Sequence, residues 1–231
     1  AWSLYYKGLI NEETPQKLSE SIAPFYYFQK RMGKSSADRP IAAIDIGGGT
    51  SDIVIFQDDN PTLLSSFRFA SNSIFGDGYN GSPQINGFVK RYKPQIEKLL
   101  SDNGIQDMVD VMNDINNTQH SENIIAFFFS IASNKKIKDN NFPISFQDLI
   151  ADDEELRVLF LLFYVSIIYH LAKLMKAKGF KVPCDIIFSG TGSKILGITD
   201  SNGKLLGLQK LTNIIFQKVY GLSLIHISEP T

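Results

Sequence analysis

The chain has 231 residues, 43% of them hydrophobic, 12% aromatic and 20% charged, with a formal net charge of -1. That length suits one large domain or two small ones with a real core, and the charge balance excludes a nucleic-acid binder held by bulk positive charge and an acidic disordered tail. A single cysteine, Cys184, excludes a disulfide framework and a Cys-rich zinc site, so a reducing, cytoplasmic setting is expected.

Residues 18–32 form a helical candidate with an apolar, aromatic face of Ile22, Phe25, Tyr26 and Phe28, followed by a polar turn at 33–40. The apolar run 41–46 reads as a strand containing Asp45 and ends in three glycines. Residues 52–57 alternate and are β-branched, a second strand, and after the Asp58-Asp59-Asn60-Pro61 turn a third spans 62–70. Together these form a meander. A second glycine turn, Gly76-Asp77-Gly78, precedes a helical pattern over 83–100. Residues 101–150 are polar, Asn-rich and irregular, and read as an inserted subdomain.

Asp152-Asp153-Glu154-Glu155 opens a long apolar helix that ends near Lys176-Ala177-Lys178-Gly179. Acids at its start and lysines with a glycine at its end suit the helix dipole and a C-cap, so these acids read as a helix start and not as a catalytic pair. The apolar runs 158–169 and 123–132 are shorter than the ~20 residues of a membrane span and read as core. A strand at 185–188 leads into the third glycine turn, Ser189-Gly190-Thr191-Gly192-Ser193-Lys194, and a last amphipathic helix spans 204–220. His120 and His170 lie far apart without ligand-like spacing.

The last ten residues, LSLIHISEPT, resemble the in-frame translation of a transposon adapter used in building sequencing libraries. With an Ala-Trp-Ser start in place of methionine, this tail (222–231) leads to the expectation of a gene fragment cut at both ends, in which His226 carries no chemistry.

The strongest chemical signal is Ala43-Ile44-Asp45-Ile46-Gly47-Gly48-Gly49-Thr50-Ser51-Asp52. Consecutive glycines after a buried strand let the backbone approach a ligand closely, and their N–H groups can cradle phosphate oxygens. Thr50 adds a hydroxyl donor. Asp45 sits at the mouth of the turn, placed to hold Mg2+ through its waters or to orient an attacking water. Two similar stretches fail as phosphate loops. Gly33-Lys34-Ser35 has Phe28 where a glycine is required, and Gly190-Thr191-Gly192-Ser193-Lys194 lacks the Gly-Lys-Ser/Thr ending. Ile195 and Leu196 stand where a dinucleotide fingerprint would have its third glycine.

Residues 44–52 resemble the second phosphate motif of the actin, Hsp70 and sugar-kinase ATPase superfamily, closest to the Hsp70 and FtsA/MreB style. The stretch 20–27 resembles that family's first connecting helix, and 186–195 its adenosine motif. Phe75-Gly76-Asp77-Gly78-Tyr79-Asn80 falls where the family has a Gly-Gly-Glu-Asp-Phe-Asp turn. The resemblance covers about 18–221 and implies a fold: an α/β, ribonuclease-H-like (actin-like ATPase) domain with a mixed sheet and an inserted helical subdomain near 101–150. Residues 1–40 would hold the connecting helix from a missing N-terminal lobe, and 41–221 the second ATPase domain.

The resemblance also implies site roles. Asp45 and Glu20 would be catalytic, with Asp45 also serving the metal. Gly47, Gly48, Gly49 and Thr50 would hold the phosphates of ATP, with Gly76 and Asp77 beside them. Gly190, Gly192, Ser193 and Lys194 would pack under adenine and ribose at a helix N-terminus. Departures are Thr191 for the motif's second glycine, Leu196 where proline is usual, and Gly78 for an acid. The expected parent is an ATP-hydrolysing switch of the Hsp70/actin type using ATP and Mg2+, with this chain alone nearly inactive. A sugar-kinase-type phosphotransferase and a nucleotide-regulated filament or scaffold protein are the alternatives. Expected partners are nucleotide, the missing lobe, and protein clients or further copies, with no nucleic acid and no membrane span.

Overall fold

A computed structural model describes residues 26–27, 36, 39–76, 81–117, 120–197 and 206–222. Of the 18–32 helix candidate only Tyr26 and Tyr27 are described, and both are helical and exposed; Glu20, the Asp77-Gly78 turn and the adapter-like tail from 223 onward fall outside these residues.

Three strands follow one another: β1 (Ile41–Ile46), β2 (Ser51–Gln57) and β3 (Asn60–Phe67). β1 and β2 are continuous β-branched and apolar runs because both faces of each strand are covered; Ile41, Ile44, Ile53 and Ile55 are all fully buried. β3 alternates between half-buried and exposed positions, turning Leu63 and Phe67 toward the core and Leu64 outward. The β2–β3 turn places Asp58 and Asp59 at φ 51° and 58°. Two successive positive φ values match a hairpin to the right-handed twist of its strands. The turn is held by Ser36, whose amide donates to the Asp59 carboxylate at 2.9 Å and whose carbonyl accepts from Asp58 N at 3.2 Å.

The fourth strand, β4 (Asp185–Ser189), pairs parallel to β1, so the sheet is mixed, with order β3-β2-β1-β4. The chain is thus of the α/β class, as the sequence suggests. Arg39 anchors this pairing by donating to the carbonyls of Val182 at 3.1 Å and Pro183 at 2.9 Å.

Between β3 and β4 lies a helical excursion. The short α1 (Asn72–Phe75) precedes α2 (Gly87–Asp102), α3 (Gln106–Asn116) and α4 (Ser121–Ser130). Then come α5 (Lys135–Asp139), α6 (Phe146–Ala151) and the 24-residue α7 (Glu154–Ala177). The stretch read as irregular therefore contains four helices. Its Asn and Ser residues punctuate them: Asn134 and Ser145 accept from the Lys136 and Asp148 amides as N-caps. Met108, Val109 and Met112 supply a buried helical stripe in α3 that the surrounding polar composition masks.

Asp153 caps α7 by accepting from Leu156 N at 3.2 Å, so the acid run is a helix start. At the other end Gly179 adopts φ 77°, and Phe180 N donates to Met175 O at 3.0 Å in a Schellman closure. Tyr92 of α2 donates to Asp153 at 2.5 Å, and Arg91 pairs with both Asp153 and Glu155, tying α2 to the start of α7.

The apolar run inside α7 is not wholly core. Phe160, Ile167, Ile168 and Leu171 are buried, whereas Val158 and Leu162 are 57% and 59% exposed. Among the described residues α7 is the one helix long and apolar enough to cross a membrane, with 44% of its most apolar stretch buried inside the protein. The final helix, α8 (Leu206–Tyr220), packs on α7, with the Tyr164 and Thr212 hydroxyls hydrogen-bonded across the pair. All these helices share one apolar core with Ala42, Ile44, Ile46, Ile53 and Ile55, one face of the sheet. The other face carries a smaller cluster of Ile41, Ala43, Val54 and Phe56.

Candidate functional site

Because β1 and β4 are parallel neighbours, their carboxyl ends emerge side by side, and a glycine turn follows each. In open α/β sheets ligands bind beyond those carboxyl ends. Asp45 is the last polar residue of β1, in register with Asp52 on β2 and Ser189 on β4. Directly paired residues share a face, so the three side chains form a row on the face opposite the helices. The Ser189 hydroxyl is buried and has no hydrogen-bond partner among the described residues.

The first glycine turn closes on itself, with Gly47 N donating to Thr50 O at 3.0 Å. Neither Gly47 nor Gly48 has a positive φ. What they supply is clearance, not a left-handed backbone. A Cβ on Gly47 would lie 3.2 Å from Thr50 O, and one on Gly48 would lie 3.4 Å from the Asn72 carboxamide oxygen. Thr50 is exposed, and Gly49 is half-buried.

A second segment brackets this turn. Ser71 donates to Gly47 O from its amide at 3.2 Å and from its hydroxyl at 2.9 Å. Asn72 N donates to Gly48 O at 2.8 Å. Gly76, expected near the phosphates, closes α1 by donating to Asn72 O at 2.9 Å. Asn86 fixes that short helix from behind. It is 1% exposed, donates to Phe75 O at 2.8 Å and accepts from Val89 N at 2.9 Å.

The turn after β4 is pressed against the end of β1. Gly190 has φ 81°, and a Cβ there would lie 2.3 Å from both the Asp45 carboxylate and Ile46 O. A Cβ on Gly192 would lie 2.6 Å from the Ile46 side chain and 2.9 Å from Gly47 O. Only glycine permits this approach. Ser193 turns its hydroxyl inward to Gly190 O at 2.7 Å. The residues that follow, Thr191–Gly197, form a 3-10 helix, so the helix start expected after this turn is of the tighter kind.

These turns open onto a cleft of about 310 Å³. One wall is Gly48, Ser71, Asn72 and Phe75; the second is Thr191, Gly192 and Lys194; the third is Glu122, Ile125, Ala126 and Phe129 of α4. Of the residues named from sequence, Gly48, Gly192 and Lys194 line the cleft, and Asp45 stands just behind Gly190. Gly47, Gly190 and Ser193 do not line it; Gly190 packs against Asp45 and Ile46, and Ser193 bonds back to Gly190. Glu20 and Asp77 lie outside the described residues.

Sequence reasoning missed the Ser71–Asn72 bracket and the α4 wall. The bracket is made by backbone carbonyls 24 residues away in sequence, which leave no local pattern. The α4 wall had a signal in its helical period: within Phe127-Phe128-Phe129, Phe128 is fully buried while Phe129 faces the cleft. Among the described residues no group of three or more His, Cys, Asp or Glu side chains could hold a metal ion. Compared with models of known protein families and with curated protein sequences, the chain matches none.

Proposed function

We propose that this chain is the nucleotide-binding half of a two-lobed ATPase of the actin/Hsp70 kind, with ATP seated in the cleft beyond β1 and β4. The observation that carries this reading is the contact between the two glycine turns. Gly190 and Gly192 sit so close to Asp45, Ile46 and Gly47 that the ends of two strands make one continuous floor. The mixed sheet and the helical excursion between β3 and β4 support the finer, ribonuclease-H-like assignment.

The residues present fit a nucleotide. The glycine floor offers backbone within reach of phosphate oxygens. Ile125, Ala126 and Phe129 of α4 offer an apolar face for a base, and Glu122 offers an acceptor for sugar hydroxyls. Lys194 brings a positive charge to the same cleft, and neither it nor Glu122 has an ion-pair partner among the described residues. Magnesium fits less completely, because the row at the sheet end offers two carboxylates, Asp45 and Asp52. Phosphate and water oxygens would complete its shell, which is the arrangement magnesium favours. When bound, the ion would neutralise charge on the phosphates; Asp45 would hold one of its waters or orient an attacking one.

Hydrolysis in such a site rests on positioning and electrostatics around the phosphates. A second lobe would supply the opposite wall and exclude water, so this chain alone is expected to bind nucleotide weakly and turn over little. Photolabelling with an azido-ATP analogue, followed by peptide mapping, tests the reading. Labelling is expected on α4 or on residues 190–197, suppressed by excess ATP. Labelling spread over the surface and indifferent to ATP would contradict it.

A further inference from the structure

We infer that Asn72 is a positioning residue for the phosphate chain: its carboxamide, laid across Gly48, donates to a ligand oxygen seated on the first glycine turn. The inference rests on the nucleotide reading and extends it to a residue that no motif marks.

The backbone of Asn72 is fixed on both sides, its N–H on Gly48 O at 2.8 Å and its carbonyl accepting from Gly76 N at 2.9 Å. Ser71 doubles the attachment through Gly47 O, and buried Asn86 holds the carbonyl of Phe75 one turn further on. The Asn72 side chain therefore leaves a rigid base. Its Oδ1, Nδ2 and Cγ atoms lie 3.4, 3.5 and 3.7 Å from the point where a Cβ on Gly48 would sit, so the amide plane covers that glycine. Among the described residues this carboxamide makes no hydrogen bond, although its backbone makes two. A carboxamide carries two N–H donors and an acceptor oxygen, and Asn72 lines the cleft together with Gly48, Gly192 and Lys194. Such placement is what preorganised binding requires: the ordering is complete before the ligand arrives.

The chemistry selects an anion with acceptor oxygens. A phosphate chain offers only acceptors, so Nδ2–H is the group used. A carboxylate at the same position would keep the shape of the side chain and replace the donor with a negative charge. Asn72→Asp and Asn72→Ala therefore separate electrostatics from packing.

The test is calorimetric titration of the unmodified chain and both variants with Mg-ATP, tripolyphosphate and adenosine, alongside thermal unfolding of each protein. Losing one hydrogen bond to a charged group weakens binding about tenfold, which is the loss expected for ATP and tripolyphosphate with Asn72→Ala. The loss with Asn72→Asp is expected to exceed it, about a hundredfold, because repulsion is added to the lost donor. Adenosine affinity should be unchanged in both. If Asn72→Asp does not fold, the Asn72→Ala contrast between tripolyphosphate and adenosine decides alone. Equal losses for adenosine and tripolyphosphate would mean a merely structural role and overturn the inference. Unchanged ATP affinity in both variants would overturn it while leaving the nucleotide reading intact, whereas no binding of any probe by the unmodified chain would overturn both.

Discussion

Replacing Gly190 with alanine tests whether the two glycine turns really share one floor. Gly190 has φ 81°, and its new Cβ would meet the Asp45 carboxylate and Ile46 O, each at 2.3 Å. The left-handed backbone costs an L-residue about 1–2 kcal/mol. Overpacking adds about 1–3 kcal/mol, toward the upper end here because one of the two obstructing atoms is a strand carbonyl that cannot swing aside. The sum is roughly 2–5 kcal/mol, a large share of the ~5–15 kcal/mol that holds a typical domain folded. For a chain of this length that is a fall in Tm of about 4–20 °C.

The control is Gly207→Ala in α8, where nothing lies within 4 Å of the added Cβ and φ is not positive. That change should be neutral or stabilising by up to about 1 kcal/mol. Gly192→Ala, with its nearest obstruction a side-chain methyl at 2.6 Å, should fall between the two. Differential scanning calorimetry of the three variants reads the order directly. If Gly190→Ala melts within error of Gly207→Ala, the packing of the turn on β1 is refuted, and with it the shared floor.

Further expectations concern the helical side. Asn86→Ala should cost about 2–3 kcal/mol in urea unfolding, because it strands a buried carbonyl at Phe75 and an amide at Val89. Asp153→Ala should cost about 1–2 kcal/mol through loss of the α7 cap. Burial works against the charge on Asp153, but the Tyr92 hydroxyl, the Leu156 amide and Arg91 outweigh it and hold the carboxyl below its ordinary value. The depressed value means that its contribution is complete above the unfolded carboxyl pKa of about 3.9 and is lost as pH falls through the folded one. Tm measured between pH 6 and pH 3 should therefore drop less for Asp153→Asn than for the unmodified chain. Leu162→Gln, at a 59% exposed position of α7, should leave Tm within about 2 °C, since surface changes fall within about ±0.5 kcal/mol. A larger drop would show that this face is covered.

What the sequence made legible is local. The strands of the meander show as β-branched runs separated by Asp and Gly turns. The ends of α7 show as Asp153 and Gly179, because a cap is a contact between residues a few positions apart. The site was half legible for the same reason: the glycine turns after β1 and β4 stand out in composition, and the need for glycine at 190 and 192 has a steric cause. What did not show is long-range. The hold of Ser71 and Asn72 on the Gly47 and Gly48 carbonyls runs through backbone atoms common to every residue type. The inward turn of the Ser193 hydroxyl depends on a fold of the chain that its neighbours in sequence do not dictate. The exposed side of α7 was hidden differently: Val158 and Leu162 are as apolar as the buried Phe160 and Ile167, so composition cannot tell the two faces apart.

The claim that a nucleotide occupies this cleft is tested most directly by filling it. Ala126 is an exposed residue of α4 that lines the cleft, so a tryptophan there takes the space of the ligand without entering the core. Titration of Mg-ATP and Mg-ADP into the unmodified chain and into Ala126→Trp is the measurement. Saturable, weak binding to the unmodified chain is expected, with its loss in Ala126→Trp and Tm unchanged. Equal binding to both proteins, or none to the unmodified chain, would contradict it.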